Sequence, residues 1–177
     1  MRELIFSLLI SLIPLNVHEV THDESEASAR ARYEHIAASV AEEAEDSHLL
    51  LALYLITVAR HESALALPVH TGEVRGDHDR SWGLYQIMCG PHQTDPVPGT
   101  DYQARDIVGT TRAATERATE AAAVHLRAHM KRCGARNAPC VFRAYGGVSK
   151  TATGPVADRI AARVATFQRL LARIEAE

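Results

Sequence analysis

The sequence predicts a mainly α-helical protein, and three observations carry that prediction. Alanine and arginine are abundant and clusters of β-branched residues are few, a balance that favours helix over sheet. Apolar residues recur at helical spacing in several long segments. Residues 48–62 are apolar in every direction around a helix axis, which marks a buried central helix. At 177 residues the chain fits one domain with enough length for a sizeable core.

The elements follow in order. Residues 1–29 read as a leader plus a polar connector. Arg2 precedes an apolar run over residues 4–15, which has the length of a signal-peptide core and is too short to span a membrane. Ala27-Ser28-Ala29 would suit a signal peptidase, although it lies beyond the acidic stretch His22-Asp23-Glu24-Ser25-Glu26. An export signal places the protein in the periplasm, in the cell wall or outside the cell. The other reading is an N-terminal helix packed on the domain. The globular part then runs over 30–177.

In residues 30–46, Tyr33, Ile36, Ala37, Val40 and Ala44 share one side of a helix, opposite Glu34, Glu42, Glu43 and Glu45. The central helix follows and turns polar only at Arg60-His61-Glu62-Ser63. Residues 66–101 lack helical period and are punctuated by Gly72, Gly76, Gly83, Gly90, Gly99, Pro68, Pro91, Pro96 and Pro98. They predict a long ordered loop with a small hairpin around 69–74, and loops of this length tend to be functional. Helix resumes over 105–132, with Ile107, Ala114, Ala118, Ala122, Leu126 and Met130 inward. A short helix over Ala138–Tyr145 stops at Gly146-Gly147. A last amphipathic helix over 156–175 starts behind Pro155, with Val156, Ile160, Val164, Phe167, Leu170, Leu171 and Ile174 in one stripe. Arg159, Arg163, Arg169 and Arg173 are expected away from it.

Composition and motifs narrow the chemistry. A formal net charge of −3 gives no support for nucleic acid as a ligand. His125 and His129 are spaced i, i+4, but no third ligand accompanies them. His61-Glu62 fails as a zinc-protease motif because Leu65 stands where the second histidine would be. No metal and no cofactor is expected. Cys133 and Cys140 flank a loop that a disulfide would close in an exported chain, leaving Cys89 over; three reduced cysteines is the other reading.

Glu62 carries the chemical interest. It ends an apolar helix, so its carboxyl should sit at the core boundary and near backbone carbonyls that disfavour an anion. Both effects raise a carboxyl's affinity for its proton, as a proton donor to a leaving sugar oxygen requires. A solvated glutamate at a helix end is the plainer reading of Glu62-Ser63 alone.

Two further motifs follow: Gly83-Leu84-Tyr85-Gln86-Ile87 and Ala144-Tyr145-Gly146-Gly147. Taken in order with Glu62-Ser63, they resemble three signatures of the lysozyme-like superfamily, in particular soluble lytic transglycosylases and goose-type lysozymes. The likeness covers residues 48–147. It implies a lysozyme-like fold with a buried central helix and a loop or hairpin region lining a cleft. It further implies an enzyme that cleaves the β-1,4 bond between N-acetylmuramic acid and N-acetylglucosamine in peptidoglycan strands, acting as a monomer.

By this resemblance Glu62 is the general acid. Ser63, Gly83, Tyr85, Gln86 and Tyr145 are substrate-binding residues, and Trp82 is a candidate sugar-stacking residue beside them. Gly76-Asp77 through Ile87 also resembles the goose-type segment whose Asp positions the hydrolytic water, which makes Asp77 the second catalytic candidate. Inverting hydrolysis needs two carboxylates roughly 6.5–9.5 Å apart. A lytic transglycosylase uses one Glu as acid and then base. Tyr85 stands where Met is common, Gly146 where Asn is, and Met88 where a second Asp often falls. Two alternatives stay open: a non-catalytic cell-wall-binding protein on the same fold, and a chitinase-like hydrolase.

Overall fold

In the computed structural model, residues 1–15, 24–45, 49–90 and 95–176 are described. Their elements are α1 (Arg2–Leu12), α2 (Glu26–Ala44), α3 (Leu49–Ser63), α4 (Leu67–His70), a two-stranded antiparallel hairpin of β1 (Ser81–Trp82) and β2 (Ile87–Met88), a 3₁₀ turn (Ala104–Ile107), α5 (Arg112–Cys133), α6 (Ala138–Tyr145) and α7 (Pro155–Glu175). The protein is mainly helical, as its composition and periodicity predict.

Helix α3 is the axis of the core. Every residue from Leu51 to Ala59 is buried, because α1, α2, α5 and α7 all pack around it. An aromatic cluster locks it to the C-terminal helices: Tyr54 stacks on Phe167 at 4.4 Å and meets Phe142 edge-on at 5.2 Å. The Tyr54 hydroxyl reaches the Ala135 carbonyl at 2.8 Å, so this buried phenol is satisfied.

At the N-terminus, α1 lays Ile5, Leu8 and Leu9 into the core against α2 and α3. Helix α2 starts earlier than the periodicity predicts. Ser25 caps it by accepting from the Ser28 amide, and Ala27-Ser28-Ala29 lies in its opening turns with Ala29 buried. The remainder of the expected connector, including His22 and Asp23, lies outside the described residues, as do His48 and Pro91.

Three further features differ from expectation. No strand forms at 69–74. The Leu67-Pro68 pair opens the short helix α4 there, Pro being well placed in a first turn where no amide partner is needed. The hairpin falls at 81–88 instead, around Gly83. The predicted helix over 105–132 is divided, because Gly109 at φ +114° ends the 3₁₀ turn region and Thr111 caps a new start at Arg112. Ile107 still faces the core, from the turn. Helices α6 and α7 begin and end where the sequence places them. Cys133 and Cys140 form a disulfide between α5 and α6, and Cys89 is a buried free thiol.

The turn after α3 positions the site. Ala64 and Leu65 both take left-handed backbone, φ +51° and +57°, which costs free energy unless the surroundings hold it. Three bonds do so. The Ser63 hydroxyl donates to the Ala59 carbonyl and accepts from the Leu65 amide, and the Arg32 guanidinium donates to the Leu65 carbonyl at 2.7 Å. Arg32 is itself buried and held by Glu24 at 2.8 Å.

Candidate active-site cleft

A cleft of about 530 Å³ opens where the C-terminal end of α3 meets the hairpin, α5, α6 and α7. Glu62, Asp77, Gln86 and Tyr145 all line it. Four of the eight residues singled out in the sequence, from four separate segments, therefore share one wall system.

Glu62 is largely buried, with its side chain 19% exposed. Burial raises its carboxyl above the ordinary value, and the charge of Asp77 pushes the same way. Arg163 and Arg159 oppose them, Arg163 through an ion pair with Glu62 Oε1 at 2.7 Å; the net direction is upward. Glu62 thus holds a proton more readily than a free glutamate, although a cation touches it.

Asp77 sits at the exposed rim on a tight turn. Asp77, His78 and Asp79 are all left-handed, with φ +49°, +56° and +67°. Asp tolerates this region better than most residues, and three in succession are held by the bridge pairing Gly76 with Ser81. The Ser81 hydroxyl donates to Asp77 Oδ2 at 3.2 Å, and Arg80 Nε donates to the Asp77 carbonyl at 3.2 Å. The turn fixes where the Asp77 carboxylate stands relative to Glu62.

Gln86 is also left-handed, φ +47°, and its side-chain amide donates back to the Gly83 carbonyl at 3.0 Å. Gly83 cannot be another residue without a shift: φ is +66°, and a Cβ there would stand 2.6 Å from the Ile107 carbonyl oxygen. Tyr145, on the last turn of α6, donates its hydroxyl to the Tyr85 carbonyl at 3.0 Å, and so joins α6 to the hairpin across the cleft. Burial first, then the charge of Glu62, holds the Tyr145 phenol well above its ordinary value, so it stays a donor.

The other four predicted site residues do not face the cleft. Ser63 is buried in the α3 terminus bonds described above. Gly83 supports the hairpin turn. Tyr85 is fully buried with its hydroxyl 3.2 Å from Thr119 Oγ1. Trp82 is 3% exposed, and Arg75 covers its ring at 4.1 Å, which removes it as a sugar-stacking platform. Tyr102, another aromatic residue of the loop region, does not line the cleft, and its hydroxyl donates to Glu120. Met88 is half exposed and lines the cleft at the position where the goose-type segment often carries a second Asp. His125 and His129 line the α5 wall. Among the described residues no group of three or more His, Cys, Asp or Glu side chains is placed to hold a metal ion.

Arg163 corrects the sequence reading. The sequence places it on the solvent side of the last helix, yet it is 9% exposed and faces Glu62. The signal was present: Ile160, Arg163, Phe167 and Leu170 follow one another at helical i+3 and i+4 steps, so position 163 lies within the inward series. An arginine at such a position requires a buried counter-charge, which Glu62 supplies.

Fold and cleft together define a mainly helical protein with a largely buried carboxyl group in an open cleft. No family model, no curated protein and no solved structure matches the chain. No helix among the described residues is long and apolar enough to cross a membrane.

Proposed function

We propose that this protein is a peptidoglycan-cleaving enzyme with a lysozyme-like fold, and that Glu62 is its general acid. The observation that carries the reading is the convergence of Glu62, Asp77, Gln86 and Tyr145 on one cleft, with Glu62 biased by burial toward its protonated form. That is the state a donor to a glycosidic oxygen must occupy before cleavage. An open groove is also the shape that a polymeric glycan strand requires.

Glu62 protonates the oxygen between N-acetylmuramic acid and N-acetylglucosamine as the C1–O bond breaks. With Asp77 orienting a water on the opposite face, the product is a reducing sugar. With Glu62 acting next as base toward the muramic 6-hydroxyl, the product is the 1,6-anhydro sugar. Asp77 favours the first route, since its charge acts on Glu62 from across the cleft. Such a substrate lies outside the cytoplasmic membrane, so the proposal includes export, and the Cys133–Cys140 disulfide fits an oxidising compartment.

Mass spectrometry of muropeptides after digestion of purified sacculi is the deciding experiment. Cleaved glycan whose appearance is abolished by Glu62→Gln, with the circular dichroism spectrum retained, is the expected result. Binding without cleavage by the parent protein would establish a cell-wall-binding module instead, and cleavage of chitin oligomers alone a chitinase-like enzyme.

A further inference from the structure

Arg163 touches Glu62 with only part of its hydrogen-bonding capacity. Its Nη2 donates to Glu62 Oε1 at 2.7 Å, while its Nε–H, on the same edge of the guanidinium, is buried with no acceptor among the described residues. A buried N–H without a partner is costly and rare. The same protein shows what a complete arrangement looks like. Arg32 uses both Nε and Nη2 on the carboxylate of Glu24, at 3.2 and 2.8 Å to one oxygen. Arg163 is therefore an incompletely satisfied carboxylate fork on the wall of an open cleft.

Its surroundings make room for it. Gly146 lies beside the guanidinium: a Cβ there would stand 3.4 Å from Arg163 Nη1, in van der Waals contact. The glycine at the end of α6 and the arginine on α7 are neighbours on the cleft wall. Arg159 adds a second exposed cation one turn away on the same wall.

We propose that Arg163 is the anchor of an anion subsite, which takes a carboxylate of the substrate on its Nε/Nη2 edge and gives up Glu62 as it does so. This rests on the peptidoglycan reading, in which the anion is a lactyl or stem-peptide carboxylate. A bidentate pair is stronger and more directional than the single bond to Glu62 that it replaces. The charged and titratable groups around Glu62 are then Asp77 from the turn, Tyr145 from α6 and Arg159 on α7, with His125 and His129 on the α5 wall of the same cleft; His61 and Arg60, on its own helix, line a separate cavity. Loss of the Arg163 contact removes the nearest cation from Glu62 and so strengthens its hold on a proton. Substrate binding and acid loading become one event.

The test compares cleavage of native sacculi with sacculi whose carboxylates have been amidated with carbodiimide. The parent protein is expected to show a kcat/KM ratio of about tenfold or more in favour of native material, about the worth of one charge-assisted pair. Arg163→Gln brings that ratio close to one, and Arg163→Lys, which keeps charge but loses the fork, leaves it in between. A parent ratio near one overturns the subsite. Should the parent cleave neither material, the peptidoglycan reading fails, and binding of N-acetylmuramic acid against its amide, followed by NMR on the full chain, decides the subsite alone. Tighter binding of the acid, with proton uptake that disappears in Glu62→Gln, upholds it; equal binding of acid and amide overturns it. If Arg163→Gln does not fold, Arg163→Lys and the proton-uptake measurement carry the same decision.

Discussion

The hydroxyl of Tyr145 donates to the backbone carbonyl of Tyr85 across 3.0 Å, joining residues 60 positions apart in the chain. That bond links the last turn of α6 to the hairpin that carries Gln86, and so closes one side of the cleft. Removing it with Tyr145→Phe leaves the Tyr85 carbonyl short of a partner, at a cost of about 1 kcal/mol. For a chain of this size the thermal midpoint should fall by about 2–4 °C. If the proposed function holds, kcat/KM should fall as well, because the hairpin is less firmly placed. An unchanged melting curve would show that the bond contributes nothing in solution.

Asp77 acts on Glu62 through charge, raising its hold on a proton. Neutralising that charge with Asp77→Asn lets Glu62 ionise at lower pH. The alkaline limb of the pH–rate profile should therefore move toward acid, and turnover by the hydrolytic route should drop. A limb that stays in place would show that Asp77 does not influence the acid.

The Glu24–Arg32 pair is almost wholly excluded from solvent, with side chains 3% and 1% exposed. Breaking it by Glu24→Gln strands a buried guanidinium, which typically costs about 3–5 kcal/mol. Because Arg32 also holds the left-handed Leu65, the turn behind Glu62 should loosen. Urea unfolding should register the loss as a lower midpoint. Proteolysis should become faster near residue 65. A midpoint equal to that of the parent would remove the pair as a structural support.

His70 is fully buried, and burial, with Arg32 and His35 adding to it, lowers its pKa from 6.5 to about 3. Its Nε2 lies 3.4 Å from Thr115 Oγ1 and its Nδ1 has no partner among the described residues. A depressed folded pKa means that the unfolded chain binds the proton first as the solution is acidified. Stability contributed by neutral His70 is complete above pH 6.5 and is lost as pH falls toward the folded value, on the order of 3 kcal/mol by pH 4. His61, lowered to about 4, adds a loss of the same sign. In His70→Gln the decline in melting temperature between pH 7 and pH 4 should be shallower than in the parent. Parallel curves would mean that other groups govern acid unfolding.

Much of the fold was legible because it rests on local rules. The all-round apolarity of residues 49–59 could only be satisfied by burial. The stop at Gly146-Gly147 and the start at Pro155 coincide with the ends of α6 and α7. The loop region was less legible. Its conformation rests on the consecutive left-handed residues Asp77, His78 and Asp79, which the pairing of Gly76 with Ser81 holds in place. Hydrophobic periodicity carries no trace of such a turn. For the same reason the hairpin lies later in the chain than the sequence predicts.

The candidate site divides along the same line. The end of an apolar helix singled out Glu62, and the resemblance of three ordered motifs to lysozyme-like signatures singled out Asp77, Gln86 and Tyr145. Their amino-acid types could not reveal which of the neighbouring residues face solvent. Trp82 and Tyr85 are as aromatic as any sugar platform, yet Arg75 and Thr119 claim them. Arg163 reads as one more surface charge on an arginine-rich helix until α7 is docked against α3. By itself the sequence determined a helical protein with a carboxylic acid at the end of its most buried helix, since hydrophobic periodicity is a local property of the chain. Only the tertiary structure decided that this acid meets an arginine from the far end of the chain, since an ion pair across 101 residues depends on how two helices pack.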